Sequence, residues 1–299
     1  MVKKNPAIAV GAGVDAIEIH ANHDDIVQWF LSPTTNHRSD VYGGGFDGRS
    51  RFLREIVDDI RAKAPRPFTF GLRLCMDELI DGGFGVDECM ALMERFTADG
   101  TIDYFSLDVG GNWGAPSYIP IGWHEDHEWS SLCGHAKQAT NLPVVYAGRV
   151  LTAEHAEAIL ASGQADLVAM ARATMADPAL VAKTAAGEPE TIRPCVGLNE
   201  CIHRKLVEGL TYACGTNPSF ARERVVRPAR TTSPRDILVV GGGPGGSELA
   251  GLTAEHGHRV RLWERHEHLG GAFAVAAKLR GNHRYANWID YQGGRLQRA

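Results

Sequence analysis

The chain has 299 residues and a formal net charge of −5 at pH 7, because 36 acidic side chains outnumber 31 basic ones. This length predicts one large domain or two ordinary ones, and the mild acidity, with no long basic run, excludes nucleic acid as an expected partner. No apolar stretch reaches the roughly 18 residues that span a bilayer, and no secretory signal is recognisable, so a cytoplasmic protein without membrane contact is expected.

Short apolar segments alternate with longer amphipathic segments through the first 190 residues. The segments predicted as strands are 16–20, 69–74, 104–108, 143–147 and 166–171. The segments predicted as helices are 49–62, 86–98, 127–138, 152–162 and 178–186. Strands and helices that alternate at this spacing form right-handed βαβ units, so the pattern predicts an α/β fold with a parallel sheet.

Polar side chains stand at or just after the ends of these strands; they are His20, Arg73, Asp108, Arg149 and Arg172. A (β/α)8 barrel builds its active site from C-terminal strand ends, so the pattern favours a barrel, of which the chain offers five of the eight strands. Arg73 lies in an apolar strand, where a guanidinium needs an anionic or polar partner, so a ligand contact is predicted. Arg149 and Arg172 predict a phosphate site, and two surface arginines are the alternative.

Three cysteines, Cys195, Cys201 and Cys214, lie on one loop-like stretch, with five and twelve residues between them. Soft sulfur ligands grouped this way suit iron or zinc, and three unrelated buried thiols are the alternative. A polar linker over 227–235 follows and predicts a domain boundary near residue 230.

A glycine-rich motif, Gly241, Gly243 and Gly246, follows a predicted strand and precedes a helical stretch, and Glu264 ends the next strand. The glycines allow a pyrophosphate to approach the helix N-terminus, and Glu264 can accept hydrogen bonds from a ribose. The motif predicts dinucleotide binding, and a glycine-rich turn that only packs is the alternative. The predicted domains are 1–190, 191–230 and 231–299.

Five stretches carry a family resemblance. The longest is EIHANHDDIVQWFLSPTTNHRSDVYGGGFDGRSRF at 18–52, and the others are AGR at 147–149, MARATMADP at 170–178, CVGLNEC at 195–201 and VVGGGPGGSELAG at 239–251. Over nearly its whole length the chain resembles the family that contains trimethylamine dehydrogenase, 2,4-dienoyl-CoA reductase and the old yellow enzymes. The resemblance implies that residues 1–190 are the last five βα units of an FMN-binding TIM barrel. It implies that 231–299 open a Rossmann-like domain that binds FAD or ADP.

The resemblance also implies roles for single residues. Arg73 matches the arginine that faces N1 and the C2 oxygen of the flavin, and His20 and His23 match the positions that hold the substrate over the ring. The residues that match the FMN phosphate loops are Gly148, Arg149, Ala171 and Arg172. The residues that match three of the four ligands of a 4Fe-4S cluster, which exchanges electrons with FMN, are Cys195, Cys201 and Cys214.

The sequence departs from the family pattern at several positions. Leu198 stands at the second cluster cysteine, so the alternatives are a three-iron cluster, a cluster with an outside ligand, or no cluster. Asp25 stands at the tyrosine that protonates the substrate in the ene-reductases, so that reaction needs a different acid. Trp113 matches an aromatic of the amine dehydrogenase substrate cage. However, Lys205 replaces another cage aromatic, and the acid that partners the histidine falls in a deletion beside Ala115.

The resemblance implies an oxidoreductase that transfers hydride between a small-molecule substrate and FMN, with electrons passing through the iron–sulfur centre. Trp113 and the spacing before Cys214 favour the amine dehydrogenase branch over NAD(P)H-dependent reduction of an enone or dienoyl thioester. A non-catalytic remnant is a third reading, because three βα units are absent. The expected partners are NAD(P)H or an electron-transfer flavoprotein, and a second copy of the chain, since open sheet edges favour pairing.

Overall fold

The computed structural model describes residues 5–23, 25–111, 118–122, 124, 126–224 and 230–299. The chain divides into two compact units. Unit 1 comprises Met1–Pro120, Asp126–Val150 and Glu154–Ala169, and unit 2 comprises Ile121–Glu125, Leu151–Ala153 and Met170–Ala299. The domain boundaries near residues 190 and 230 stay predictions.

Unit 1 is built around a parallel sheet of five strands in the order β1-β2-β3-β4-β5. Its elements in chain order are α1 (Asn5–Gly11), β1 (Ala16–Ala21), α2 (Ile26–Leu31), α3 (Phe46–Lys63), β2 (Thr69–Cys75), α4 (Val86–Asp99), β3 (Tyr104–Asp108), α5 (Ser130–Ala136), β4 (Val144–Tyr146), α6 (Ala153–Ala161) and β5 (Leu167–Val168). A short 3-10 turn, Lys137–Ala139, follows α5. The predicted parallel α/β fold is therefore confirmed.

The core of unit 1 lies between the sheet and its covering helices. Leu72 in β2 and Phe105 in β3 are fully buried. On α3 the buried positions Leu53, Val57 and Ile60 recur every three or four residues, which is the period that gives a helix one apolar face. This face packs inward, because apolar surface removed from water stabilises the fold by about 25 cal/mol per Å².

Replacing Leu72 with alanine should lower the free energy of unfolding by about 2–5 kcal/mol, because the fully buried site would become a cavity. Urea unfolding followed by circular dichroism measures the change. The matched control is Val41→Ala at a side chain that is 59% exposed, where a change within about 0.5 kcal/mol is expected. Equal losses at both positions would contradict the assigned core.

The register of the parallel strands brings the ends of three strands, β1, β2 and β3, next to one another. His20 in β1 lies opposite Arg73 in β2, and Arg73 lies opposite Ser106 in β3. Alternate side chains of a strand point to the same face, so Asp108, two residues beyond Ser106, shares that face. The strand pairing thus brings an imidazole, a guanidinium and a carboxylate to one edge of the sheet.

A buried carboxylate joins the segments that follow β1 and β2. Glu78 is 4% exposed and accepts hydrogen bonds from Gln28 Nε2, Ser32 Oγ and the Phe84 backbone N–H, each at 2.7 Å. All three donors are neutral. Because a buried carboxylate requires such donors, this contact fixes α2 against the connection between β2 and α4.

Unit 2 contains two parallel strands joined by a helix. Its elements are α7 (Ala171–Ala176), α8 (Leu180–Ala185), α9 (Glu200–Leu206), β6 (Asp236–Val240), α10 (Pro244–Glu255), β7 (Arg259–Trp263), α11 (Ala272–Ala276) and α12 (Arg284–Arg298), with a 3-10 turn at Pro189–Thr191. The β6-α10-β7 order is the predicted βαβ unit. Across the described parts of both units, none of the helices combines the length and apolar character needed to cross a membrane.

An ion-pair network holds α10 and α12 to the segment that precedes the cysteines. Glu248 of α10 accepts from Arg193 Nη1 at 2.6 Å and from Arg295 Nη1 at 2.9 Å. Gln292 adds a third hydrogen bond at 2.6 Å. Burial alone would raise the pKa of Glu248, but the two arginines outweigh it and hold this pKa below its ordinary value. The Glu248 carboxylate is therefore held in its charged form by contacts within unit 2.

Candidate functional site

Asp108 lies at the centre of a buried polar group at the C-terminal end of the unit 1 sheet. Its Oδ2 accepts from Arg73 Nε and Nη2, at 3.0 and 2.6 Å, and from His23 Nε2 at 2.7 Å. Its Oδ1 accepts from Asn22 Nδ2 at 2.6 Å. The Asp108 side chain is only 4% exposed. The contacts therefore supply the donors that a buried carboxylate needs.

A second histidine and acid lie beside this group. His20 Nε2 is 3.4 Å from Asp25 Oδ2, and both side chains are about half exposed. The rings of His20 and His23 meet edge to face with centroids 5.0 Å apart. Tyr118 stacks on His23 with a centroid distance of 4.1 Å. The name Asp108 cluster is used below for His20, Asn22, His23, Asp25, Arg73 and Asp108.

Carboxylates outnumber guanidinium groups in the Asp108 cluster. Burial is the largest influence on the pKa of His20, and with the neighbouring His23 and Arg73 it outweighs the carboxylates, so this pKa lies below the model-peptide value of 6.5. His20 is then neutral at pH 7. Besides the histidines, the cluster contains two carboxylates, Asp25 and Asp108, and one guanidinium, Arg73, and this excess of acidic groups favours a cationic substrate.

The sequence prediction and the structure agree on where several of these residues lie. His20, His23, Asp25 and Arg73 come together at one edge of the sheet, although their roles stay predictions. Sequence reasoning missed Asp108 as the partner of His23 and Arg73. The available signal was a carboxylate ending an apolar strand next to the strand of Arg73, because parallel neighbours bring such ends together.

Arg149, predicted to hold the FMN phosphate, lies three residues after the end of β4, and its side chain is fully buried. It donates from Nε to Asp126 at 2.8 Å and from Nη1 to the Pro120 carbonyl at 3.2 Å. Its Nη2 has no hydrogen-bond partner among the described residues. A buried guanidinium nitrogen without a partner is costly, so this atom suits an anionic ligand. Gly148 precedes it on the same loop.

FMN fits the residues that unit 1 provides. Besides Arg149 Nη2, the Oδ1 atom of the fully buried Asn22 lacks a hydrogen-bond partner within the described part of the chain. The flavin ring carries an N–H donor and carbonyl acceptors, and its phosphate is anionic. The unpaired acceptor Asn22 Oδ1, the unpaired cationic donor Arg149 Nη2 and the neighbouring Arg73 therefore complement the donor, the acceptors and the anionic group of FMN.

The other predicted phosphate residues, Ala171 and Arg172, begin α7 in unit 2. Arg172 Nη1 donates to Asn199 Oδ1 at 2.9 Å. Asn199 lies in the cysteine segment, so Arg172 contacts that segment directly. The assignment of Ala171 and Arg172 to a phosphate site stays a prediction. Trp113, the predicted substrate aromatic, lies outside the described residues.

The three predicted cluster ligands line one pocket of unit 2. Cys195, Cys201 and Cys214 line it together with Leu198. Burial raises the pKa of the Cys195 and Cys201 thiols. No group of three or more His, Cys, Asp or Glu side chains in the described regions is arranged to hold a single metal ion. The three thiols are soft donors of the kind that an iron–sulfur cluster binds, while Leu198 offers no fourth ligand, and the cluster assignment stays a prediction.

The glycine-rich loop of unit 2 has the geometry of a pyrophosphate site. Gly241 has φ +102°, a conformation that favours glycine. A Cβ on Gly246 would lie 1.9 Å from the Gly241 carbonyl oxygen, so only glycine fits there. The N-cap residue of α10 is Gly243, which has no side chain to accept a hydrogen bond from the first N–H groups of the helix. The first N–H groups of this twelve-residue helix can therefore bind an anion.

Glu264 contacts the same loop. One carboxylate oxygen accepts from the Gly242 N–H at 2.6 Å and the other from the His266 N–H at 3.0 Å. These two backbone hydrogen bonds lower the pKa of Glu264. Each oxygen keeps one lone pair, so the carboxylate can still accept from a ribose, and a dinucleotide fits this unit.

The chain matches two family models. The NADH:flavin oxidoreductase / NADH oxidase model matches residues 4–191, and an NAD(P)-binding Rossmann-like domain model matches residues 239–289. Among curated relatives, the N,N-dimethylglycine/sarcosine dehydrogenase of Chromohalobacter salexigens is 35% identical over 296 residues, covering 95% of this chain and 42% of that protein. The chain thus spans under half the length of this relative.

Solved structures of similar proteins cover the whole chain. A 2-naphthoyl-CoA reductase in complex with 2-naphthoyl-CoA superposes with a TM-score of 0.94 at 28% identity, covering 99% of this chain and 45% of that one. The histamine dehydrogenase of Rhizobium sp. 4-9 superposes with a TM-score of 0.88 at 28% identity, covering 99% and 43%. These matches confirm the predicted resemblance and fold class, a TIM-barrel part followed by a Rossmann-like part. The chain belongs to the NADH:flavin oxidoreductase / NADH oxidase family.

Proposed function

We propose that this chain is part of an FMN-dependent dehydrogenase that oxidises a secondary or tertiary alkylamine. The observation that carries the proposal is the excess of carboxylates in the Asp108 cluster, in which Asp25 and Asp108 outnumber Arg73. An alkylammonium ion is attracted to such a site, whereas the carbonyl oxygen of an enone needs donors. The relative from Chromohalobacter, which is named for dimethylglycine and sarcosine, supports the same branch.

When bound, FMN supplies a two-electron acceptor for the hydride that leaves the carbon beside the amine nitrogen. The residues of this chain bind and orient. Arg149 and the end of β4 hold the anionic phosphate, and Arg73 places a guanidinium at the sheet edge. Asp25, His20 and His23 hold the amine, and Asp108 contacts His23 from the buried side. The three cysteines would carry an iron–sulfur cluster that accepts the electrons afterwards.

A second candidate is reduction of a conjugated thioester with NAD(P)H. The superposition on the 2-naphthoyl-CoA reductase favours it. Against it, Asp25 provides a carboxylate where the resemblance places the tyrosine that protonates the substrate, and a carboxylate is a poor proton donor near neutral pH. The acidic side chains of the Asp108 cluster therefore favour amine oxidation over thioester reduction.

The test is anaerobic reduction of the flavin in the longest form of the protein that its gene encodes. A secondary N-methylamine should bleach the oxidised flavin absorbance, and the matched methyl ether, with oxygen in place of N–H, should not. The competing assay follows NADH loss with a conjugated thioester. Flavin that is bleached by NADH and reoxidised by the thioester, and unaffected by a panel of amines, would overturn the proposal.

A further inference from the structure

His23 Nε2 lies 2.7 Å from the buried carboxylate of Asp108. We propose that Asp108 is a positioning residue that fixes His23 as the Nε2–H tautomer, so that the site selects substrates that donate a hydrogen bond. This inference rests on the proposed amine oxidation for its substrate class. Its structural part depends only on contacts within unit 1.

The carboxylate of Asp108 can act only as an acceptor here. Arg73 donates to it from two nitrogens, at 3.0 and 2.6 Å, and an arginine in a protein keeps its charge. The Asn22 amide donates to the other oxygen at 2.6 Å. The contact from His23 Nε2 at 2.7 Å must then be an N–H donated by the ring.

In its neutral form the imidazole of His23 therefore has its lone pair on Nδ1, because one ring nitrogen then donates and the other accepts. Reversing the ring would break the 2.7 Å contact with Asp108. Tyr118 also restrains the ring by stacking on it at 4.1 Å with an interplanar angle of 23°. The ring is only 12% exposed, so water does not easily replace these partners.

An Nδ1 lone pair distinguishes two kinds of substrate. An alkylammonium donates its N–H to this atom: the N–H bond breaks, an Nδ1–H bond forms, and the amine nitrogen keeps the electron pair, so one neutral amine and one imidazolium result. That electron pair is what hydride loss from the adjacent carbon requires. A carbonyl oxygen offers only lone pairs, which the Nδ1 lone pair repels.

Histidine NMR tests the tautomer without activity. In protein labelled with ¹³C and ¹⁵N histidine, the His23 resonances, identified by their loss in His23→Gln, should show protonated Nε2 and unprotonated Nδ1. Asp108→Asn should give a mixture, because an amide can donate to Nε2 or accept from it. A wild-type ring protonated on Nδ1, or an unchanged tautomer in Asp108→Asn, would overturn the inference even if amines prove to be the substrates.

Kinetics give a second readout. Asp108→Asn should lower the limiting rate of flavin reduction by an amine on the order of 10²- to 10⁴-fold, the range that a correctly placed base supplies. The matched control is Asp103→Asn, at the residue just before the start of β3, where the carboxylate contacts Arg61 and Arg66. Asp103→Asn should lower stability and leave the rate within about threefold, well under one factor of ten. Equal rate losses in both variants would contradict positioning by Asp108. If amines reduce no flavin at all, the amine assignment fails, and the NMR measurement of the His23 tautomer still tests the role of Asp108.

Discussion

Gly246→Ala should weaken ADP binding at least tenfold and lower the free energy of unfolding by about 1–3 kcal/mol. The new Cβ would lie 1.9 Å from the Gly241 carbonyl oxygen, a backbone atom that cannot rotate away. Relief of this clash must move either the loop or the start of α10, and both shape the predicted pyrophosphate site. Isothermal titration with ADP and urea unfolding measure the two effects.

Gly245→Ala is the matched control for that substitution. It changes the neighbouring residue of the same helix, where an added Cβ would meet nothing within 4 Å. Because alanine is favoured over glycine in helices, Gly245→Ala should increase stability by about 0.5–1 kcal/mol. Wild-type ADP affinity in Gly246→Ala would contradict the assignment of this loop as the nucleotide site.

Arg73→Met should cost about 3–5 kcal/mol of unfolding free energy, because it removes the guanidinium that donates two hydrogen bonds to Asp108 and leaves a buried carboxylate short of donors. Urea unfolding of the full protein measures this loss. FMN retention should fall as well, since the guanidinium beside the predicted ring position disappears.

A control and a compensating variant sharpen the Arg73 experiment. Arg51→Met removes an exposed pair with Glu55 on α3, and it should leave the unfolding midpoint unchanged. Adding Asp108→Leu to Arg73→Met should recover part of the loss, because the unpaired charge is gone. If Arg73→Met behaves like Arg51→Met, Asp108 does not depend on the guanidinium.

The repeating elements of this fold could be predicted from sequence because their signals are local. The strand predicted at 104–108 is β3, and the helix predicted at 86–98 is α4 with one more residue. Helices α2 and α7 have six residues each, too few for a helical period to be recognised. Helices as short as these therefore cannot be predicted from the periodicity of the sequence.

The sequence predicted that the candidate site lies at a set of strand ends. It did not predict which side chains of the site pair with each other. Sequence reasoning identified Arg73 as a buried guanidinium that needs an anionic partner, and interpreted this as a ligand contact. The structure provides Asp108 as such a partner, 35 residues away in sequence. Which donor pairs with which acceptor depends on the register between strands, which residue patterns within one strand do not specify.

The contacts of Glu78 have a consequence for how the segments after β1 and β2 move. Since one carboxylate is bonded to α2 and to the backbone of Phe84, the two segments must open together or lose hydrogen bonds in a buried environment. Their amide hydrogens should exchange with deuterium as one cooperative group. Helix α2, which follows His23 in the chain, is thereby coupled to the segment after β2 through the two oxygens of one buried carboxylate.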